Sequence, residues 1–421
     1  MTAPKSQSHA ADTGSPGKAA LWFFVALLCA AQWIVIHFLH TPLSSPWEAI
    51  LPGLGIFGAA FLLSWGAELS QLEISQALAL AFLALMAVLP EYAVDMYLAW
   101  KAAKDPVYIH YAAANMTGAN RILIGFGWPV VLLCYWLATK KKEIVVDRGS
   151  RIELFTLTAA TLYAFVIPLK RSLTLFDMVI LVGLFVVYIV QSSRAEHVEP
   201  ELEGPPAHIA TWPRAWRRVM TLALFILPGL AIFTAAEPFA EGLLHMARGW
   251  GVEEFLLIQW LAPLASEAPE FIVATLFALR GNAQASLGTL VSSKVNQWTL
   301  LIGMLPLVYS ISGGGPAAMH LDGRQAEEIF LTAAQSLLAV IILANWSFGL
   351  WEGVLLLSMF FGQWIIPAII PGASGEQLVW IRVAFGVAYL LVSAAYLFNP
   401  EYRRSIKDLL RKGWSVSPTE K

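Results

Sequence analysis

Apolar runs of about twenty residues, broken by short polar stretches, recur along almost the whole chain, which is the length a helix needs to cross the ~30 Å hydrocarbon core of a bilayer. The runs predict membrane helices over 20–39, 47–67, 73–100, 107–138, 152–169, 173–191, 219–241, 254–280, 283–311, 326–345, 349–370 and 377–398. Residues 1–19 are rich in Ser, Ala, Gly and Pro and are expected to form a disordered tail. The apolar run from Leu21 to Leu39 exceeds a signal-peptide core and lacks a small-residue cleavage motif, so it reads as a retained first helix. A polar tail, 399–421, follows the last run.

Composition agrees with this pattern: 58% of residues are hydrophobic and 13% charged, whereas soluble domains carry about 25% charged residues. The formal net charge of -2 offers no basic surface for nucleic acid. Cys29 and Cys134 lie inside apolar runs, which excludes a disulfide framework and a metal-thiolate site. Lys and Arg fix an orientation, because they bias loops toward the cytoplasm. With both termini cytoplasmic, the inner segments collect Lys140, Lys141, Lys142, Arg148, Arg151, Arg194, Arg214, Arg217, Arg218, Arg280, Arg403, Arg404, Lys407, Arg411 and Lys412. The outer segments hold only Lys101, Lys104, Lys170, Arg171, Arg248 and Arg324.

The longest connection, 192–218, is polar and contains Glu196, Glu199, Glu201, Glu203, Pro200, Pro205 and Pro206. It reads as a cytoplasmic linker between a first unit, 47–191, and a second, 219–370, with 20–39 and 377–398 as extra helices at either end. Each unit has a span with a Pro-Glu pair past its middle, Pro90-Glu91 and Pro269-Glu270, followed by a span rich in small and amide residues. The first of these runs outward and the second inward, so the predicted fold is an all-α polytopic membrane protein of two inverted repeats of five helices. Secondary transporters are built this way, with the binding site at the midplane where the repeats meet.

An ionised carboxylate in the bilayer interior costs at least ~3 kcal/mol, so Glu91 and Glu270 in matched positions point to function. The proline before each lacks an N–H, which frees the carbonyls of Met86 and Ala265 four residues earlier. Two carboxylates with freed carbonyls suit a hard divalent cation such as calcium. No His-Glu-x-x-His, Walker, Rossmann or nucleophile-elbow motif occurs, and no enzyme activity or bound cofactor is expected.

The stretch Ala265-Ser266-Glu267-Ala268-Pro269-Glu270, followed by Arg280-Gly281-Asn282 and by Gly288-Thr289-Leu290-Val291-Ser292-Ser293, resembles the second α-repeat of the sodium/calcium exchanger superfamily. Leu89-Pro90-Glu91 with Asn115-Met116-Thr117-Gly118-Ala119-Asn120 resembles the first. The resemblance implies that Glu91 and Glu270 bind the transported cation, with hydroxyl help from Ser266 and Ser293. Asn115, Thr117 and Asn120 are candidates as a group in the first copy.

Departures from the motif are informative. Ala87 and Val88 replace the hydroxyls before the first Pro-Glu, Glu267 replaces the second motif's Ser, and Lys294 replaces its last Asn, with Gln297 as a further neutral ligand. A Lys294–Glu267 ion pair is expected to replace part of a sodium site, with Asp95, one turn beyond Glu91, as a proton acceptor. The reading is a secondary cation antiporter of a bacterial inner membrane, exchanging calcium for sodium or protons. The alternatives are a sodium/proton antiporter and a cation-binding relative that does not transport.

Overall fold

The computed structural model describes residues 16–72, 89–194, 202, 204–370 and 375–413. Its helices are α1 (Pro16–Phe38), α2 (Trp47–Ser70), α3 (Leu89–Ala102), α4 (Val107–Thr139), α5 (Arg151–Ala164), α6 (Val166–Lys170) and α7 (Leu175–Ser192) in the first half. The second half has α8 (Pro205–Ala210), α9 (Arg214–Trp250), α10 (Glu254–Leu279), α11, α12 (Gly323–Leu343), α13 (Leu350–Ile369), α14 (Gly375–Phe398) and α15 (Pro400–Lys412). Helix α11 runs through Ala283–Asn296, Gln297–Leu301 and Ile302–Ser312. Among the described residues nine helices are long and apolar enough to cross a membrane. The part of the expected 73–100 span before Leu89, including Met86, Ala87 and Val88, lies outside the described residues, as does most of the N-terminal tail.

Three details go beyond the sequence reading. Within the linker 192–218, Pro205 and Pro206 open α8, and α9 begins at Arg214 after Pro213, because proline's fixed φ suits a first helical turn. The tail after 399 is likewise helical over α15, capped by the Asn399 side chain accepting from the Glu401 N–H at 2.9 Å. Its Tyr402, Ile406 and Leu409 recur at helical spacing and pack onto the bundle, leaving Arg403, Arg404, Lys407 and Arg411 exposed. Finally, two short strand pairs join loops of the all-α bundle. Strand β1 (Glu143–Val145) pairs with β4 (Ser347–Gly349), and β2 (Ser172–Leu173) with β3 (Met319–His320), both antiparallel. These loop segments are too short for helix, and pairing satisfies their backbone groups.

Asp177, Glu352 and Arg382 read in sequence as span-end charges that reach for the interface; each is instead held inside. Asp177 closes a capping box with Thr174 and binds Lys170 and Tyr163. Glu352 accepts from the Gly349 N–H at 2.7 Å and the Tyr402 hydroxyl at 2.8 Å. Arg382 pairs with Glu327 at 3.1 Å.

The two halves repeat one another closely. Helix α4 contains a π-helical turn at Leu123–Gly127 and α11 another at Gln297–Leu301, and the helical segments beyond them begin at Trp128 and Ile302. These pairs share one offset, 174 residues, the same that separates Asn120 from Lys294. Single π turns gather at functional sites. Helices α3 and α10, which carry the Pro-Glu pairs, pack against each other and against α4. The halves of α2 and α9 nearest Trp250 join the main core, whereas the opposite halves, Phe61–Leu69 and Leu224–Ile232, build a separate core with α1.

The tightest seam lies between α4 and α10. A Cβ on Gly118 would sit 1.8 Å from the carbonyl oxygen of Gln259, so only glycine permits this approach. Beside it, Gln259 Nε2 donates to Thr117 Oγ1 at 3.3 Å and to Glu328 Oε2 at 3.2 Å, and Arg121 pairs with Glu328 at 2.9 Å. Gly118→Val forces the seam apart at a cost of about 1–3 kcal/mol. The variant should melt several degrees below wild type in detergent, while Gly229→Val, with open space around its Cβ, should melt with wild type; equal melting of the two variants contradicts the seam.

Candidate cation site

The Pro-Glu pairs stand on helices contributed by opposite repeats. Glu91 lies in the first described turn of α3, 2% exposed, with Asp95 one turn on, fully buried. On α10, Glu267 is 2% exposed and Glu270 partly exposed. The four carboxylates lie within electrostatic reach of one another, Glu91 sensing Glu267, Asp95 and Glu270. Each has a buried oxygen with no hydrogen-bond partner: Glu91 Oε1, Asp95 Oδ2, Glu267 Oε2 and Glu270 Oε2. Converging, unsatisfied carboxylates in a low-dielectric interior are balanced only by a cation or by protons.

The amides expected around them divide cleanly. Asn115 Nδ2 donates to Asp95 Oδ1 at 3.0 Å, and Gln297 Nε2 to Glu267 Oε1 at 2.9 Å. Both amides keep their own oxygens, Asn115 Oδ1 and Gln297 Oε1, unpartnered and buried. They hold a carboxylate with one end and present a neutral oxygen with the other, which is the donor chemistry a hard cation takes. Ser266 bonds back to the carbonyls of Ala262 and Pro263 on its own helix, at 3.1 and 3.3 Å, leaving its oxygen free to accept. Ser293 is buried on α11 one residue before Lys294. Thr117 turns away, bonding Ala113 O at 2.6 Å and receiving Gln259, so it belongs to the seam.

Lys294 departs from expectation. It makes no ion pair with Glu267; its Nζ donates to Asn120 Oδ1 at 2.6 Å and lies 4.1 Å from the centre of the Trp298 ring. Glu267 is taken instead by Gln297. Lys294 and Asn120 occupy equivalent positions of the two repeats, so the motif's last residue meets its own counterpart across the pseudo-symmetry axis. The Lys294 amine is wholly buried among a carbonyl, an amide oxygen and a π face. Glu267 and Glu91 lie within electrostatic reach of it.

Sequence reasoning assigned Arg121 no role; the structure sets it in a polar network beside the site. Arg121 follows Asn120, pairs with Glu328, donates to Gln363 Oε1 at 3.1 Å and lies 5.1 Å over the Trp260 ring. Gln363 donates to Tyr389 at 3.0 Å, and Arg382 of α14 reaches Glu327 and Glu328. A signal was available for Arg121, a charge in the middle of an apolar run, which requires a partner. Among the described residues no group of three or more His, Cys, Asp or Glu side chains is placed to hold a metal ion by itself.

A family model described as sodium/calcium exchanger protein matches residues 44–193 and 220–367, the two repeats without the linker and the terminal helices. A crystal structure of an H+/Ca2+ exchanger, CAX, is 41% identical, superposes with a TM-score of 0.88 and covers 95% of this chain and 98% of its own. The structure of native YfkE, 14% identical, shares the fold with a TM-score of 0.59 over 88% of this chain. The sodium/calcium exchanger MaX1 of Methanosarcina acetivorans is 26% identical over 141 residues, a stretch spanning 38% of that protein. The chain is a member of the sodium/calcium exchanger family.

Proposed function

We propose that this protein is a calcium/proton antiporter working by alternating access, with Glu91 and Glu270 as the principal cation ligands. Asp95, Glu267, Asn115, Gln297, Ser266 and Ser293 complete the ring. The observation that carries the reading is the gathering of acids from both repeats: Glu91 lies within reach of Asp95, Glu267 and Glu270, and each of the four has a buried oxygen with no hydrogen-bond partner. A divalent cation balances part of their negative charge and protons balance it when the cation leaves. The same groups therefore carry either load but not both.

Lys294 favours protons over sodium as the coupling ion. It places a fixed positive charge where the exchanger motif has an amide, and Asn120 and Trp298 hold it there. A monovalent cation at that point would meet the ammonium at close range. The likeness to an H+/Ca2+ exchanger at 41% identity supports the same assignment.

Helices α2 and α9 are the moving pair, since their inner halves share a core with α1 that is separate from the main body. On the outer side Glu241 of α9 accepts from Tyr97 at 2.6 Å and Tyr108 at 2.5 Å, which closes that approach. Both termini face the cytoplasm, where the Lys and Arg of the loops collect. The expected direction is calcium outward and protons inward.

In liposomes, calcium-45 uptake driven by a pH gradient should be abolished by Glu91→Gln and by Glu270→Gln without loss of folded protein. Retained uptake in either variant contradicts the ligand assignment. Lys294→Asn, which restores the motif's amide, should make uptake respond to sodium, whereas wild-type uptake should ignore it. An unchanged, sodium-insensitive rate in Lys294→Asn would show that the ammonium has no part in selecting the coupling ion.

A further inference from the structure

Helix α14 is a lipid-facing span: Leu391 and, at its last residue, Phe398 stand largely exposed. Asn399, extended, breaks the helix, and α15 begins at Pro400, at the level where the span leaves the hydrocarbon. Tyr402 fixes α15 against the bundle. Its hydroxyl donates to Glu352 Oε1 of α13 at 2.8 Å and accepts from Asn345 Nδ2, just past α12, at 2.9 Å. At the other end Gly413 abuts the Phe155 ring of α5. Thirteen helical residues reach about 20 Å, so α15 lies across the ends of these helices. This is the lysine-rich end of the bundle, since the Leu350 N–H of α13 bonds Lys142 O at 2.9 Å.

At about 100° per residue, the side chains of α15 sort into three sides. Tyr402, Ile406 and Leu409 pack on the bundle. Arg403, Arg404, Lys407 and Arg411 fall together within an arc of about 100°, and Leu410, apolar and 51% exposed, stands between that arc and the packed side. Glu401 and Asp408 lie beyond the basic arc, with Lys412 beside them. The four basic side chains of the arc are exposed and make no ion pair among the described residues.

A helix that met only water on its outer faces would gain from interleaving its acids and bases as pairs one turn apart. Here the bases are gathered on one flank, bordered by an exposed leucine, and the acids are set apart on the other. That is the arrangement of a helix lying at a bilayer surface, where an apolar side chain enters the acyl layer and long basic side chains reach the phosphates. The bilayer is also the surface at hand, because α14 stands in it and joins α15 directly.

We propose that α15 docks its basic flank on anionic phospholipid headgroups of the adjoining leaflet, with Leu410 in the acyl layer and Asp408 in water. On the orientation given above this is the cytoplasmic leaflet. The lipid surface thereby steadies the ends of α12, α13 and α5, which α15 spans. The docking is independent of which cation the site carries.

Depth and headgroup are tested separately. In a Cys29→Ser/Cys134→Ser background, nitroxide labels at Leu410→Cys and Asp408→Cys are compared in proteoliposomes. The first should be relaxed by oxygen, which concentrates in lipid, and the second by a water-soluble nickel chelate; a label at 410 that behaves as the one at 408 overturns the docking. Phosphatidylglycerol added to the detergent-solubilised protein should raise its melting temperature, whereas phosphatidylcholine should not. Each basic residue near an anionic surface strengthens attachment about fivefold, so Arg403→Gln/Lys407→Gln should raise the phosphatidylglycerol concentration needed by about tenfold or more. Lys140→Gln/Lys141→Gln, which removes the same charge at the same end, should leave it unchanged. Arg411→Gln, expected to shift it about fivefold, serves should the double variant fail to fold. Equal weakening by the Lys140/Lys141 variant, an equal rise with phosphatidylcholine, or an equal rise with inorganic phosphate overturns the proposal.

Discussion

Mutual repulsion among four carboxylates in a low-dielectric interior is the constraint around which the rest of the molecule is arranged. Glu91 and Asp95 from one repeat and Glu267 and Glu270 from the other cannot all stay ionised side by side without a counter-charge. Lys294 lies within reach of Glu91 and Glu267, and in the proposed mechanism an arriving ion or proton balances the acids. Transport follows, because an incompletely balanced site is costly to carry across a membrane.

The surrounding fold keeps this unstable group of charges in register. Gly118 lets α4 and α10 touch along their backbones, and Gln259, Arg121 and Glu328 fasten the seam with a polar network whose own charges are paired. The π turns in α4 and α11 stand beside the site in both repeats and turn Gln297 toward Glu267. Rigid packing on this side contrasts with the separate core shared by α1, α2 and α9.

Much of this was legible in the residues. The apolar runs placed the described helices to within a few positions at most ends, and the duplicated Pro-Glu pairs pointed to the candidate site. The alignment of the first copy was not legible, because the stretch from the Pro-Glu pair to the motif's last residue is longer in the first copy, mostly within the helices on either side of the loop. Pro90 and Pro269 lie 179 residues apart but Asn120 and Lys294 only 174. Spacing from the glutamate alone therefore misleads. The partner of Lys294 was missed for a related reason: Glu267 is its nearest opposite charge in sequence motif terms, while Asn120 faces it only through the symmetry of the fold. The helices α8 and α15 escaped notice because their apolar content is low, although their proline and asparagine starts were visible.

The central claim is that a cation and protons compete for the same carboxylates. It is tested most directly by calorimetric titration of the purified protein with calcium in buffers of different ionisation enthalpy, which counts protons released per ion bound. The account predicts proton release on binding, diminished in Glu91→Gln. Calcium binding with no proton released, at any pH where binding occurs, would contradict it.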